Sequence, residues 1–102
     1  MATKTTKKAA KADRYVIVRT YSAGVHVGYL VSERGERVQL RDASRVWRWR
    51  GANTLNELAL HGPDRTRHTR ISERVPAITL TEAIEVIDTV AHEDRFAPVW
   101  MP

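Results

Sequence analysis

Hydrophobic and polar residues alternate with a period of two along the first half of this chain. In YVIVRT, residues 15–20, the odd and even positions form two faces rich in β-branched and aromatic side chains. That pattern is typical of a β-strand. It resumes over residues 25–32 and 37–41, and Gly35 lies in the turn between these two segments. We therefore predict three antiparallel strands, joined as a meander.

The segment SRVWRWR, residues 44–50, is predicted to be a further strand over 45–49. Alternation then places Trp47 and Trp49 on one face, and Arg48 and Arg50 on the other. Two large aromatic side chains would be a substantial share of a small core. The competing interpretation is a ligand surface, in which a tryptophan stacks on a base and Arg45, Arg48 or Arg50 pairs with phosphate.

Residues 54–63 carry helix start and stop signals. Thr54 with Glu57 three residues later forms a capping box, and Gly62 with Pro63 follows the apolar face. A helix is predicted over 55–61. Residues 78–87 return to strand character, residues 88–96 suggest a short final helix, and Val99 and Trp100 are expected to pack back on the domain.

These elements predict an α+β fold: a small, mainly antiparallel sheet with one or two short helices, drawn either as an open meander or as a partly closed barrel. The predicted core consists of Val16, Val18, Val27, Leu30, Leu40, Leu55, Leu58, Ile78, Leu80, Ile84 and Val86.

Length and charge divide the chain into an arm and one domain. Its 102 residues suffice for a single domain, which we assign to residues 14–102. Residues 1–13 carry four lysines against one aspartate, +3 of the net charge of +5. This segment has nothing to bury, so we expect an arm that is disordered when free and binds polyanions. Its lysines are Lys4, Lys7, Lys8 and Lys11.

Candidate catalytic chemistry is sparse. The chain has no cysteine, which excludes disulfides and thiolate catalysis. Its four histidines lack a metal-ligand spacing, and its serines lie in no nucleophile elbow. We therefore expect no enzyme, metal or cofactor. No apolar run is long enough to span a membrane, and we expect a cytoplasmic protein.

The segment TYSAGVHVG leaves the backbone bare between two predicted strands. At Ser22, Ala23 and Gly24 amide groups could approach a phosphate closely, although most such turns are simple hairpins. These three residues, together with Arg45, Arg48 and Arg50, are the predicted ligand-binding residues.

The blocks RYVIVRTYSAGVHVGYL, RVQLRDASRVWRWRGANTLNELALHG, VPAITLTEAIEVID and PVW resemble a family of small proteins of unknown function from tailed bacteriophages and prophages. The resemblance covers about residues 14–100 and implies a phage context, with no residue roles to carry over. The leading hypothesis is a non-enzymatic binding protein for a phosphate-bearing partner, either a nucleotide signal sequestered from host defence or a nucleic acid. The alternative is a virion structural or decoration protein. We expect a homo-oligomer, in the infected host's cytoplasm or in the virion.

Overall fold

The computed structural model describes residues 14–49, 54–64, 69–90 and 93–100. The arm with its four lysines, Arg50, and residues 51–53 of the small-residue segment lie outside the described residues. The strands are β1 (Tyr15–Thr20), β2 (Val25–Arg34), β3 (Arg37–Arg48), β4 (Arg70–Ile71), β5 (Val75–Leu80), β6 (Ala83–Asp88) and β7 (Val99–Trp100). One α-helix, α1, spans Leu55–His61, and a 3-10 helix spans Glu93–Phe96.

All strand pairs are antiparallel, and the sheet forks at β3. The main path runs β6-β1-β2-β3-β4-β7. The first half of β3 pairs with β5 through residues 38–43, whereas its end pairs with β4 through Val46 and Arg48. The two partners share one edge of β3, and residues 72–74 connect them. This fork is the feature that creates the candidate site.

The sheet is open. Within the described part of the chain no ladder joins β5 to β6, although only residues 81–82 separate them. The fold is thus a mainly antiparallel sheet with one small helix, as predicted in outline, but it is mainly β rather than α+β, and the sheet does not close into a barrel. The meander and the helix over 55–61 are confirmed. The two strands predicted over residues 37–41 and 45–49 form a single strand, β3. The strand predicted over residues 78–87 is divided into β5 and β6.

Both faces of the sheet are covered, which is why three successive residues of β1, Val16, Ile17 and Val18, are fully buried. One cluster is formed by residues of β1, β3, β5 and β6: Val16, Val18, Val38, Leu40, Ala43, Leu80 and Ala83. The other lies under α1 and the 3-10 helix: Ile17, Val27, Val46, Leu58, Ala59, Ile71 and Phe96. The domain therefore has two small cores that share one sheet.

Most of the predicted core residues are buried or half-buried. The assignment of Ile84 to the core is wrong, because its side chain is 49% exposed. The β1–β6 register pairs Arg19 with Glu85 and Thr20 with Ala83, so Ile84 has no partner in the ladder. This irregularity turns the small Ala83 inward and Ile84 outward.

Helix α1 begins and ends as its sequence signals predict. The Thr54 hydroxyl accepts a hydrogen bond from the Glu57 amide at 3.1 Å, and the Gly62 amide donates to the Leu58 carbonyl at 2.7 Å. The Ala59 carbonyl accepts from both the Thr89 hydroxyl and the Val90 amide. These bonds attach the helix to the chain that follows β6.

Candidate functional site

Ser72 lies at the fork in the sheet and hydrogen-bonds to the backbone of β3 there. Ala43 pairs with Val75 on one side of the fork, and Val46 pairs with Ile71 on the other. Between these pairs the Ser72 hydroxyl accepts from the Arg45 amide at 2.8 Å, and the Ser72 amide donates to the Arg45 carbonyl at 2.9 Å. The backbone of Arg45 is thus fully bonded while its side chain stays exposed.

A cavity of about 290 Å³ lies at this fork. Ser44 and His26 are the buried polar residues of its wall, and Val75 and Ile78 are among its apolar residues. Three exposed side chains, Arg45, Trp47 and Trp100, also line it and form its mouth. A mostly apolar cavity with a few polar groups is the usual form of a small-ligand site, and the volume of this one lies just below the roughly 300–1,000 Å³ seen for such sites.

A bulge at the end of β3 separates the two tryptophans. The ladder pairs Val46 with Ile71 but then Arg48 with Arg70, so that Trp47 and Arg48 together oppose one residue. Trp47 is 65% exposed, whereas Trp49 packs against the cluster under α1. The prediction that both tryptophans share a buried face is therefore wrong. The extra residue in the bulge shifts the alternation by one position.

Trp47 pairs instead with Trp100. Their ring centroids lie 5.5 Å apart with the planes at 80°, an edge-to-face arrangement. The Arg70 guanidinium lies 4.6 Å from the centroid of the Trp100 ring, and the two residues are partners across the β4–β7 ladder. Trp100 packs back on the domain as expected, through Trp47 and Arg70, but its side chain is 54% exposed and belongs to neither core cluster. Val99 does lie against the cluster under α1.

Three arginines surround this aromatic pair without acidic partners. Among the described residues, the structure gives no ion pair to Arg45, Arg48 or Arg70, and the buried Nε of Arg70 has no hydrogen-bond partner. Glu73 is the acidic residue in the cavity lining. The surface therefore has an excess of positive charge beside exposed aromatic rings. We call these five side chains the Arg–Trp surface: Arg45, Trp47, Arg48, Arg70 and Trp100.

His26 connects the cavity to the β1–β2 turn. It is the cross-strand partner of Arg45 and only 1% exposed. Its Nε2 lies 3.0 Å from the Ala23 carbonyl oxygen, which can only accept, so Nε2 carries a proton and donates. Burial lowers the pKa of His26 below its ordinary value of 6.5, and the nearby Arg45 charge lowers it further, against the opposing effect of the Ala23 hydrogen bond. Neutral imidazole is the form that the fold favours.

The β1–β2 turn is exposed but internally bonded. The Ala23 amide donates to the Thr20 hydroxyl at 2.9 Å, and Gly24 turns the chain at a φ of 87°. The Ser22 hydroxyl donates to the carboxylate of Glu82, which anchors the turn on the corner between β5 and β6. Ser22, Ala23 and Gly24 are not among the residues that line the cavity. Of the predicted ligand-binding residues, Arg45 and Arg48 therefore belong to the Arg–Trp surface. The three residues of the turn do not, and the turn contacts the cavity wall only through the bond between Ala23 and His26.

Four residues of this site escaped the sequence prediction: His26, Ser44, Arg70 and Trp100. Arg70 lies in a strand of only two residues, too short to show alternation. Ser44 and His26 carry no motif. Trp100 reaches the site only because β7 pairs with β4.

A family model, the domain of unknown function DUF6948, matches residues 13–95. The chain belongs to this family. The matched segment includes every residue of the Arg–Trp surface except Trp100. No curated protein and no solved structure is significantly similar to the chain.

Two further findings bear on the site. In the described ranges, no three histidine, aspartate or glutamate side chains come together in a way that could hold a metal ion. No helix in those ranges is both long and apolar enough to cross a membrane.

Proposed function

We propose that this DUF6948 protein is a non-enzymatic binding protein whose ligand carries phosphate together with an aromatic base, as a nucleotide or a nucleic acid does. The observation that carries the proposal is the Arg–Trp surface. Arginines suit phosphate because their guanidinium groups donate paired hydrogen bonds to its oxygens. Exposed aromatic rings suit bases because every base has a flat π-face on which to stack.

These arginines have no acidic partner among the residues that the structure describes, which supports this assignment. Surface arginines in a structural role commonly pair with carboxylates, and Arg14 and Arg19 do so with Asp88 and Glu85. Arg48 and Arg70 instead lie side by side as like charges. Like charges opposite each other destabilise a sheet, and a bound anion would remove that repulsion.

The resemblance to phage proteins extends the proposal to a biological context. In the cytoplasm of an infected bacterium, such a protein would sequester a nucleotide signal of host defence or accompany nucleic acid. The basic arm would add sequence-independent attraction to a polyanion.

Intrinsic fluorescence tests the proposal directly, because Trp47 and Trp100 are exposed beside the arginines. We expect single-stranded oligonucleotides or nucleotides to quench it, with an affinity that falls as salt rises. Three arginine–phosphate contacts correspond to a slope of about −2 in log K against log salt. Full-length protein and a variant lacking residues 1–13 separate the arm's contribution from that of the surface. Absence of quenching and of any salt-dependent binding in both forms would reject the proposal.

A second function is favoured by a different surface. Strand β6 is at the edge of the sheet, and Leu60, Ile84 and Val90 beside or near it are 56%, 49% and 75% exposed. An open edge with apolar neighbours is a template for subunit pairing. We propose subunit contacts through β6 as the alternative role, as in a virion structural or decoration protein. Analytical ultracentrifugation of the wild type and of Ile84→Lys tests it: an oligomer that the substitution dissociates supports this role, and a wild-type monomer rejects it.

A further inference from the structure

The Arg–Trp surface lies on the face of the sheet opposite α1. Val46 and its ladder partner Ile71 belong to the cluster under α1. Neighbouring residues of a strand point to opposite faces, so Arg45 and Trp47 point away from the helix. Trp100 lies on that side too, because its ring is in contact with the Trp47 ring. Basic and aromatic side chains are therefore presented together on a single face.

Trp47 is the ring that remains open to a ligand. It meets Trp100 edge to face, so Trp100 covers at most one of its two faces. The Arg70 guanidinium covers one face of Trp100, at 4.6 Å from the ring centroid. The Trp47 side chain is also the more exposed of the two, at 65% against 54%. Trp47 can therefore stack on a planar ligand.

Cations flank Trp47 on both sides along the chain. Arg45 precedes it on β3, Arg48 follows it directly, and Arg70 lies opposite Arg48. From Arg45 to Arg48 the strand rises by up to roughly 10 Å, at about 3.3 Å per residue, so the two can hold different phosphates. A nucleotide within a strand has a phosphate on each side of its sugar, whereas a free 5′-nucleotide has phosphate on one side only. The placement of the cations therefore matches a strand.

The openness of the surface also favours a strand over a free nucleotide. Sites for small ligands bury most of the ligand's surface in a cleft or cavity. Here Arg45, Trp47 and Arg48 are exposed, and the adjoining cavity of about 290 Å³ is smaller than such sites usually are. Proteins that bind single strands combine aromatic rings with basic side chains on an open surface of this kind. In a duplex the bases are already stacked on one another and offer no free face.

We propose that the Arg–Trp surface binds single-stranded nucleic acid, with one base stacked on Trp47. Arg45 holds the phosphate on one side of that base, and the Arg48–Arg70 pair holds the phosphate on the other. The proposal rests on the proposed function and deepens it, because it names the ligand as a polymer with an unpaired base, neither a free nucleotide nor a duplex.

The test compares Trp47→Leu with wild type on a labelled single strand, the same strand with abasic sites, and a duplex of equal length. One stacked base corresponds to about five- to a hundredfold in affinity. Trp47→Leu should lose that factor on the single strand and bind the abasic strand and the duplex as wild type does. Trp47→Phe, which keeps a ring, should keep most of the affinity, and circular dichroism checks that both variants fold. The basic arm is present throughout, so its contribution cancels.

Two further measurements test the phosphates. A nucleoside 5′-monophosphate should compete for the wild type at least about tenfold more weakly than the unlabelled single strand does. Arg45→Ala should weaken binding of the single strand several-fold. Its matched control is Arg37→Ala, which removes an exposed arginine at the far end of the same strand and should bind as wild type does.

Each other outcome overturns a defined step. If Trp47→Leu binds the single strand as wild type does, or loses the same factor on the abasic strand, stacking on Trp47 is wrong while the proposed function stands. If Trp47→Leu weakens the duplex equally, the unpaired base is wrong. If the monophosphate competes as well as the strand, the polymer is wrong. If no probe binds and no nucleotide changes the fluorescence, the proposed function itself fails.

Discussion

Arg48 lies directly opposite Arg70 on the ladder between β3 and β4, so two cations share one face of the sheet where β3 bulges. Neither has an ion pair to a described residue. Trp100, the partner of Arg70 on the next strand, places an aromatic ring beside them. A like-charged pair beside an exposed ring is costly in the free protein and useful when an anionic, aromatic ligand binds.

Replacing this pair should separate binding from stability. In Arg48→Ala/Arg70→Ala the loss of repulsion offsets the lost cation–π contact, so we expect the free energy of unfolding to change by less than about 1 kcal/mol. Binding of a single-stranded oligonucleotide should weaken strongly, and the salt slope should fall by about 1.4, the value for two phosphate contacts. Chemical denaturation and fluorescence titration at several salt concentrations measure the two effects.

The chain offers a matched control for this double variant. Arg34 and Arg37 are also cross-strand partners, at the far end of the β2–β3 hairpin, and both are exposed. Arg34→Ala/Arg37→Ala removes the same charge and should leave the salt slope nearly unchanged. Equal losses of binding in the two double variants would mean that net charge, and not the Arg–Trp surface, attracts the ligand.

The two tryptophans of β3 should behave differently when truncated. Trp47→Ala removes an exposed side chain and should leave the melting temperature within a few degrees while weakening binding. Trp49→Ala removes a ring that packs against the cluster under α1, and should cost roughly 2–3 kcal/mol, less than the 3–5 of a fully buried aromatic. Thermal melts and titrations of both variants check this. If Trp47→Ala unfolds the domain, the bulge is misassigned.

Local signals explain what the sequence predicts well. Strand β1 and helix α1 agree with prediction to the residue, because alternation and the Thr54 cap are properties of adjacent positions. The bulge that separates Trp47 from Trp49 depends instead on the register of β4, a strand that follows some twenty residues later in the chain. The cavity likewise exists only because two later strands share one edge of β3. Arg45 and Arg48 could be predicted from the sequence, but Arg70 and the grouping of these arginines with Trp100 could not.

Gly28 should be intolerant of any side chain. A Cβ at this position would lie 3.1 Å from both the Ala43 Cβ and the Arg41 carbonyl oxygen, closer than ordinary contacts allow. The β2–β3 register shifts here, and Asp42 opposite adopts a φ of 50°, so the strands approach closely at an irregular point. Gly28→Ala should therefore destabilise the fold by about 1–3 kcal/mol through overpacking. Denaturant unfolding measures the loss, and wild-type stability would show that the two strands can separate without cost.

The buried His26 should make stability depend on pH. Its pKa is lowered in the folded state, chiefly by burial, so the unfolded chain binds a proton more readily than the folded protein does. Stability from this residue is therefore complete above its ordinary pKa of 6.5 and is lost as the pH falls from there toward the lowered folded value. One proton limits the slope to about 1.4 kcal/mol per pH unit.

The comparison that isolates His26 is His26→Gln, which keeps an amide donor near the Ala23 carbonyl but does not titrate. We expect the wild-type free energy of unfolding to fall between about pH 7.5 and 5.5, above the range where carboxylates titrate, and the variant to stay nearly flat. Of the charges around the ring, Arg45, its cross-strand partner, opposes protonation, whereas the negative charge of Glu73, which lines the same cavity, would favour it. Parallel pH profiles for the two proteins would show that the imidazole becomes charged inside the fold at no cost. The cavity wall would then be more polar than its apolar lining indicates.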